Sequence, residues 1–161
     1  MSNKFDIFAG SLVSVFMHED VKNTDLDSES YVELPEVAAF PTTGVERNVI
    51  DVPNFSSQYN RKLVGRMSVP SIELSVNYMA GSSHDKLVKA AEDGTRVQLK
   101  IVYYVDAAKT SGIQIAYNGF VSKTELSGGE DSVVARSFTF EVDGAPVEQG
   151  VFAPFAASAR K

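Results

Sequence analysis

The stretch from residue 117 to residue 147, YNGFVSKTELSGGEDSVVARSFTFEVDGAPV, constrains the fold more than any other part of the chain. Apolar and polar side chains alternate along two runs, as they do in strands that bury one face and expose the other. The connection SGGED supplies the glycines that hairpin turns need. The second run sets an apolar group against a polar group: Val134, Phe138, Phe140 and Val142 against Ser137, Thr139, Glu141 and Asp143. This stretch therefore predicts a long antiparallel hairpin with one face on a core.

Four further runs are predicted as strands: GSLVSVFMHE, YVELPEVAAF, SIELSVNYM and TRVQLKIVYYVD. Pro35 in the second run suits an edge strand or a bend, because proline cannot donate to a sheet ladder. In the fourth run one set should face the core and the other the solvent: Val97, Leu99, Ile101 and Tyr103 against Arg96, Gln98 and Lys100. The predicted fold is mainly β, with antiparallel sandwich or barrel-forming sheets, one short α-helix and a long extended arm loop.

The helix is predicted over residues 83–93, in the segment GSSHDKLVKAAEDG. Ser82 or Ser83 is a suitable N-cap, Asp85 lies in the first turn, and Gly94 is a suitable terminator. His84, in the first turn, is expected to be exposed and inert.

Composition fits a single domain over residues 1–161. The chain has 17.5 kDa, 43% aliphatic and aromatic residues and 22% charged residues, the profile of an ordinary globular protein. It has no cysteine, which excludes disulfides and thiolate metal sites. No stretch approaches the roughly 18 apolar residues of a membrane helix, so we expect a soluble protein without membrane contact.

The sequence offers no catalytic constellation. Its two histidines lie in unlike contexts, no serine sits in a G-x-S-x-G elbow, and SGGED lacks the lysine of a phosphate loop. The carboxylate pairs Glu29/Glu33 and Glu130/Asp131 are interpreted as a solvated loop and a hairpin tip. We therefore expect no enzyme activity, no cofactor and no metal. The net charge of −6 also argues against a protein that grips nucleic acid through its phosphates.

Residues 41–69 form the predicted arm, rich in Gly, Pro, Asn and Ser but also in apolar side chains. A loop that long with so many apolar residues is usually functional or packed on something. It is interpreted either as a flap over its own core or as an arm that reaches another subunit.

The tail, residues 148–161, has no periodicity of its own. Phe152 and Phe155 suggest that it docks onto a surface, which makes these two residues candidates for an inter-subunit contact. Open strand edges are templates for aggregation, and an assembly can pair them between subunits.

The order of motifs resembles the major tail tube proteins of long-tailed, non-contractile bacteriophages. The resemblance covers about residues 45–147 and lies in NVIDVPNF with YNRKLVG, in SIELSVNYMAGSSHDKLVKAAEDGTRVQLKIVY, and in YNGFVSKTELSGGEDSVVARSFTFEVDGAPV. Some members add an immunoglobulin-like domain after the final strand, whereas only about fifteen residues follow Pro146 here. The resemblance thus implies a tube subunit without that added domain.

The resemblance also implies a mechanism. Members form hexameric rings that stack into a tube, each subunit gives long strands to an inner barrel, and an arm reaches the adjacent ring. The implied partners are other copies of the chain, the tape measure, tail tip and terminator proteins, and double-stranded DNA that passes without specific binding. The implied location is the virion tail, assembled in the host cytoplasm. An acidic lumen would repel phosphates and let DNA slide.

This interpretation assigns candidate residues to two surfaces. Candidates for the lumen lie on strand faces opposite the core: Glu73, Asn77, Gln98, Lys100, Asn118, Thr139 and Glu141. Candidates for the inter-ring arm are Val49, Ile50, Val52, Phe55, Tyr59 and Arg61. A bulge at Asn118-Gly119 would change the face of Lys123 and Glu125, which the sequence leaves open.

Two alternatives remain at this point. The chain could be the inner tube protein of a contractile tail or of a type VI secretion-like system, which the sequence separates poorly. It could also be a β-sandwich decoration or binding module, although such a module would need an exposed aromatic platform.

Overall fold

Nine strands and one helix occupy the part of the chain that the computed structural model describes, residues 12–105 and 108–152. Their bounds are β1 Val13–His18, β2 Val32–Leu34, β3 Glu46–Val52, β4 Arg61–Ser68, β5 Ile72–Asn77, α1 His84–Asp93, β6 Val97–Tyr104, β7 Gly112–Gly129, β8 Ser132–Val142 and β9 Glu148–Phe152. All strand pairs are antiparallel. The mainly β fold with one short helix is therefore confirmed.

One sheet curls until its two outer strands are linked. Its strand order is β2-β1-β6-β7-β8-β5, and β9 also pairs with β7. Just after β2, Glu36 adopts a left-handed φ of 58°, and Val37 then forms a bridge with Val76 of β5. Two backbone hydrogen bonds of 2.8 Å flank this bridge, one from the Ala38 N–H to the Ser75 carbonyl and one from the Asn77 N–H to the Glu36 carbonyl. The strands thus form a closed ring.

The inward faces of the ring form the hydrophobic core. Its largest fully buried side chains include Tyr117, Phe138 and Phe140, which lie on β7 and β8. Because side chains alternate along a strand, these residues share one face with the predicted apolar set. The long hairpin therefore supplies the aromatic part of the core, as the alternation predicts. Val134, which the same alternation assigned to the core face, is instead 46% exposed.

The predicted bulge at Asn118-Gly119 is wrong. There, β7 stays in register with β6, with Gln98 opposite Asn118 and Val97 opposite Gly119. The register with β8 shifts between Val121 and Lys123 instead. Gly119 has a different role, since a Cβ at this position would overlap the Glu141 carbonyl oxygen.

Helix α1 lies against the ring, with Leu87 and Ala90 buried and Gly94 closing it at a left-handed φ of 67°. His84 is fully buried, so its expected exposure is wrong. Its Nε2 lies 2.6 Å from the Pro35 carbonyl oxygen, and its Nδ1 accepts the Met79 N–H at 3.3 Å. His84 precedes Leu87 by three residues and so extends the apolar stripe of the helix.

Strand β6 is buried on both faces, whereas the sequence predicts one solvent-facing side. Residues 20–31 cross its outer face and cover Gln98 and Lys100, whereas Arg96 stays exposed. The alternation predicts the inner face of β6 correctly, but it cannot show that a distant segment covers the outer face.

The first part of the tail is a strand, although residues 148–161 show no periodicity in the sequence. Strand β9 pairs with the first half of β7, with Ile113 opposite Val151 and Ala116 opposite Glu148. Phe152 ends this strand, and Phe155 lies outside the described residues. Their predicted role between subunits stays a prediction.

Candidate assembly surfaces

A polar face covers the outside of β5 and β8. Four of the seven lumen candidates lie on it: Glu73, Asn77, Thr139 and Glu141. Glu73 lies opposite Thr139 in the ladder, and the Thr139 hydroxyl donates to Glu73 Oε1 at 3.1 Å. The structure therefore brings these four candidates to one surface of the protomer.

Strand β7 extends this polar face beyond its register shift. Lys123 lies opposite Thr139, Glu125 lies opposite Ser137, and Lys123 Nζ is 2.9 Å from Glu125 Oε1. The hydrogen bond with Glu125 raises the pKa of Lys123. Lys123 and Glu125 therefore lie on the same polar face as Thr139. The sequence left their face open because the position of a bulge cannot be found from residue types alone.

Gln98 and Asn118 lie elsewhere, beneath residues 20–31. Gln98 Nε2 donates to the Asn23 carbonyl at 2.7 Å and to Asn118 Oδ1 at 3.0 Å, and Gln98 Oε1 accepts the Tyr31 hydroxyl. Asn118 Nδ2 donates to the Val21 carbonyl at 2.7 Å. Gln98 is fully buried and Asn118 is half-buried, so both fasten the covering segment to the ring. Their assignment to a lumen is corrected.

Lys100 is also buried beneath this segment, which corrects its assignment to a lumen wall. Its Nζ donates to the Leu26 carbonyl at 2.7 Å and lies 4.2 Å from the ring centroid of Tyr31 and 4.6 Å from that of Phe16. Burial lowers the pKa of Lys100. Two aromatic rings and one carbonyl thus stabilise this cation where water is largely excluded.

The predicted arm loop is a β-hairpin, because β3 and β4 pair as a separate two-stranded sheet. Val49 lies opposite Val64, and Ile50 lies opposite Leu63, so apolar pairs occupy both faces of the ribbon. All four side chains are about half exposed or more. The alternation is missing from the sequence because neither face packs on a core.

The arm tip projects two aromatic side chains. Phe55 has a relative exposure of 107% and Tyr59 one of 81%. Arg61, at the start of β4, is exposed, and Val52, at the end of β3, is half-buried. The six arm candidates therefore lie on one hairpin and its connecting turn.

A cleft of about 330 Å³ lies where the arm joins the ring. Residues from the arm base and from the segment after β8 line it: Val45, Met67, Ser68, Val69, Val142, Gly144, Ala145 and Pro146. None of these residues carries a charge. The two walls of the cleft are roughly 75 residues apart in the chain, so no local sequence pattern indicates it.

The described residues hold no group of three histidine, cysteine or acidic side chains that could bind a metal ion. Within the same residues, no helix is long and apolar enough to cross a bilayer.

Searches with protein-family models and against curated proteins each find no match to this chain. Solved structures do match. The tail tube of SPP1 has 16% identity, covers 91% of this chain and 80% of its own, and gives a TM-score of 0.61. A chain in the tail of an empty gene transfer agent particle, solved with C6 symmetry, is 14% identical. The match covers 82% of this chain and 92% of that one, and its TM-score is 0.61.

An extracellular contractile injection system is similar as well. A chain of its sheath-tube complex in the extended state has 11% identity, covers 91% of this chain and 92% of its own, and gives a TM-score of 0.62. At these identities the likeness shows the fold. The chain has the fold found in tail tubes, as its sequence motifs indicate.

Proposed function

We propose that this chain is a structural subunit of the tail tube of a long-tailed, non-contractile bacteriophage. Six copies form a ring, rings stack into a tube, and double-stranded DNA passes through the lumen into the host cell. The subunit has no catalytic role, and it joins tape measure, tail tip and terminator proteins in the virion tail after assembly in the host cytoplasm.

The arm carries this proposal. A two-stranded hairpin is at best marginally stable in water on its own, and this hairpin exposes apolar side chains on both faces. Such a ribbon is stabilised when another protein covers it. Similar chains in the SPP1 tail tube and in a sixfold tail support a second copy of this chain as that protein.

The outer face of β5, β7 and β8 supports the passage of DNA. It carries Glu73, Glu125 and Glu141 against Lys123, a net negative charge on a polar surface. A negative wall repels phosphates, so DNA could move along it without binding.

Negative-stain electron microscopy and sedimentation of the purified chain test the proposal. We expect hollow tubes or sixfold rings. A chain that stays monomeric over a wide range of concentration and salt would contradict the proposal.

The likeness to the contractile injection system favours one alternative, an inner tube enclosed by a sheath. Gold-labelled antibodies against this chain separate the two on intact particles. Labelling along a bare tail supports the non-contractile tube. Labelling that appears only after a sheath contracts supports the alternative.

A further inference from the structure

The tip of the arm exposes an aromatic side chain, and the base of the arm borders an uncharged cleft. Phe55 stands fully exposed in the turn between β3 and β4, and the uncharged cleft lies at the other end of the same hairpin. We propose that Phe55 of one copy occupies the arm-base cleft of the next copy. This inference rests on the proposed function and identifies the site that receives the arm.

The cleft fits an aromatic side chain in size and chemistry. Its volume of about 330 Å³ lies at the lower end of the range for sites that hold small organic groups, roughly 300–1,000 Å³. Val45, Met67, Val69, Val142 and Pro146 give it an apolar lining. Burial of the Phe55 ring there would remove apolar surface of both copies from water.

The arm itself prevents this contact within one chain. Strand β3 has seven residues, so the tip lies about 23 Å from the base. Because Phe55 and the cleft are different surfaces, the contact between copies is heterologous. Such a contact builds a ring where its rotation closes and a continuing stack where it does not, and along a stack each copy offers a new cleft to the next.

The charge distribution favours binding of the arm to the body of a second copy. The arm carries four basic residues against two acidic ones: Arg47, Arg61, Lys62 and Arg66 against Glu46 and Asp51. Its net charge is +2 in a chain of −6, which leaves −8 for the remainder. Arms repel each other and are attracted to the acidic body of another copy.

Paired cysteines test the contact directly, because the chain has none of its own. The double variant Phe55→Cys/Ala145→Cys should form a ladder of disulfide-linked oligomers when its tubes are oxidised. The control Phe55→Cys/Lys89→Cys, with the second cysteine on the exposed face of α1, should not. An equal ladder in both variants, no ladder in tubes of the first, or linked dimers of Phe55→Cys alone would each overturn the proposal.

Two single variants test the energetics. Phe55→Ala removes the ring, and Ala145→Trp fills the cleft from an exposed position. Each should raise the critical concentration for polymerisation about tenfold or more, because burial of one aromatic side chain is lost. Phe55→Leu should restore most of the loss. Unfolding midpoints of the unassembled variants show whether each chain still folds.

Mixing the two variants gives a further readout. The intact arm tip of Ala145→Trp can enter the intact cleft of Phe55→Ala, but no second contact can follow. We expect complexes limited to two layers in sedimentation. If both variants form normal tubes, this inference fails and the proposed function stands. If the unaltered chain forms no tubes at all, the proposed function itself fails.

Discussion

Buried polar side chains fasten separate segments of this protein to each other. His84 joins helix α1 to the Pro35 carbonyl and the Met79 N–H, and Gln98 joins β6 to the covering segment at Asn23 and Tyr31. A buried donor or acceptor that loses its partner costs more than the bond itself contributes. These single residues therefore determine where the helix and the covering segment lie.

Replacing His84 tests this role. His84→Ala leaves the Pro35 carbonyl and the Met79 N–H without partners and opens a cavity beside Leu87. We expect the free energy of unfolding to fall by about 2–4 kcal/mol. Urea denaturation measures it. Lys89→Ala, at an exposed position of the same helix, is the matched control, and an equal loss in both variants would contradict the assigned role.

Tyr31 makes the stability of the folded chain depend on pH. Burial raises its pKa to about 12 from an ordinary value of 10. Between pH 10 and 12 the unfolded chain loses this proton while the folded chain keeps it, so stability falls as the pH rises. The contribution is complete below pH 10 and lost above about pH 12.

Tyr31→Phe removes that contribution. At pH 8 the variant should be less stable by about 0.5–1.5 kcal/mol, because the hydroxyl no longer donates to Gln98. From pH 10 to 12 its urea midpoint should fall less steeply than that of the unaltered chain. Tyr59→Phe changes an exposed ring and serves as the control. Parallel slopes for all three proteins would disprove the assignment.

At the scale of elements, the arm is separable from the ring. Its strands pair with each other and form their own sheet. Deleting residues 47–60 should therefore yield folded, soluble subunits that no longer polymerise. Far-UV circular dichroism checks the fold and sedimentation checks assembly. Tubes of normal length from the deleted chain would show that the arm is only a flap.

The alternation of residues predicted the elements that have one buried face. Strand β5 buries Ile72, Leu74 and Val76 as its pattern indicates. The pattern failed where a second segment covers the outer face, as over Lys100, and where neither face meets a core, as in the arm. Periodicity in the sequence indicates which side of a strand is buried. Contacts from distant segments or from other chains change this burial, and no neighbouring residue in the sequence shows it.

The candidate sites follow the same rule. Four lumen candidates share one face because β5 and β8 are adjacent and each has its own clear alternation. Gln98 and Lys100 were misassigned because residues 20–31 hide them. The cleft at the arm base could not be predicted, since its shape depends on how the arm meets the segment after β8.

At the scale of the whole molecule, the distribution of charge separates assembly from transport. Glu73 and Glu141 lie on the polar face of the ring, whereas the basic strands β3 and β4 form a separate sheet. Charge reversal at either residue, Glu73→Lys or Glu141→Lys, should leave tube assembly intact and slow DNA ejection, because a cation on the wall attracts phosphates.

Electron microscopy of tails and the rate of DNA release from purified particles measure the two effects. Glu29→Lys adds the same charge on the covering segment and should leave ejection unchanged. Unchanged release from the Glu73 and Glu141 variants would remove these residues from the lumen.

The uncovered arm has a consequence for the time course of growth. A ribbon with no partner is poorly ordered, so the first copies to meet must order their arms with little contact in return. Once a layer exists, each newcomer docks on surfaces that are already in place. Polymerisation followed by light scattering should therefore begin with a lag, and short tube fragments added at the start should abolish it.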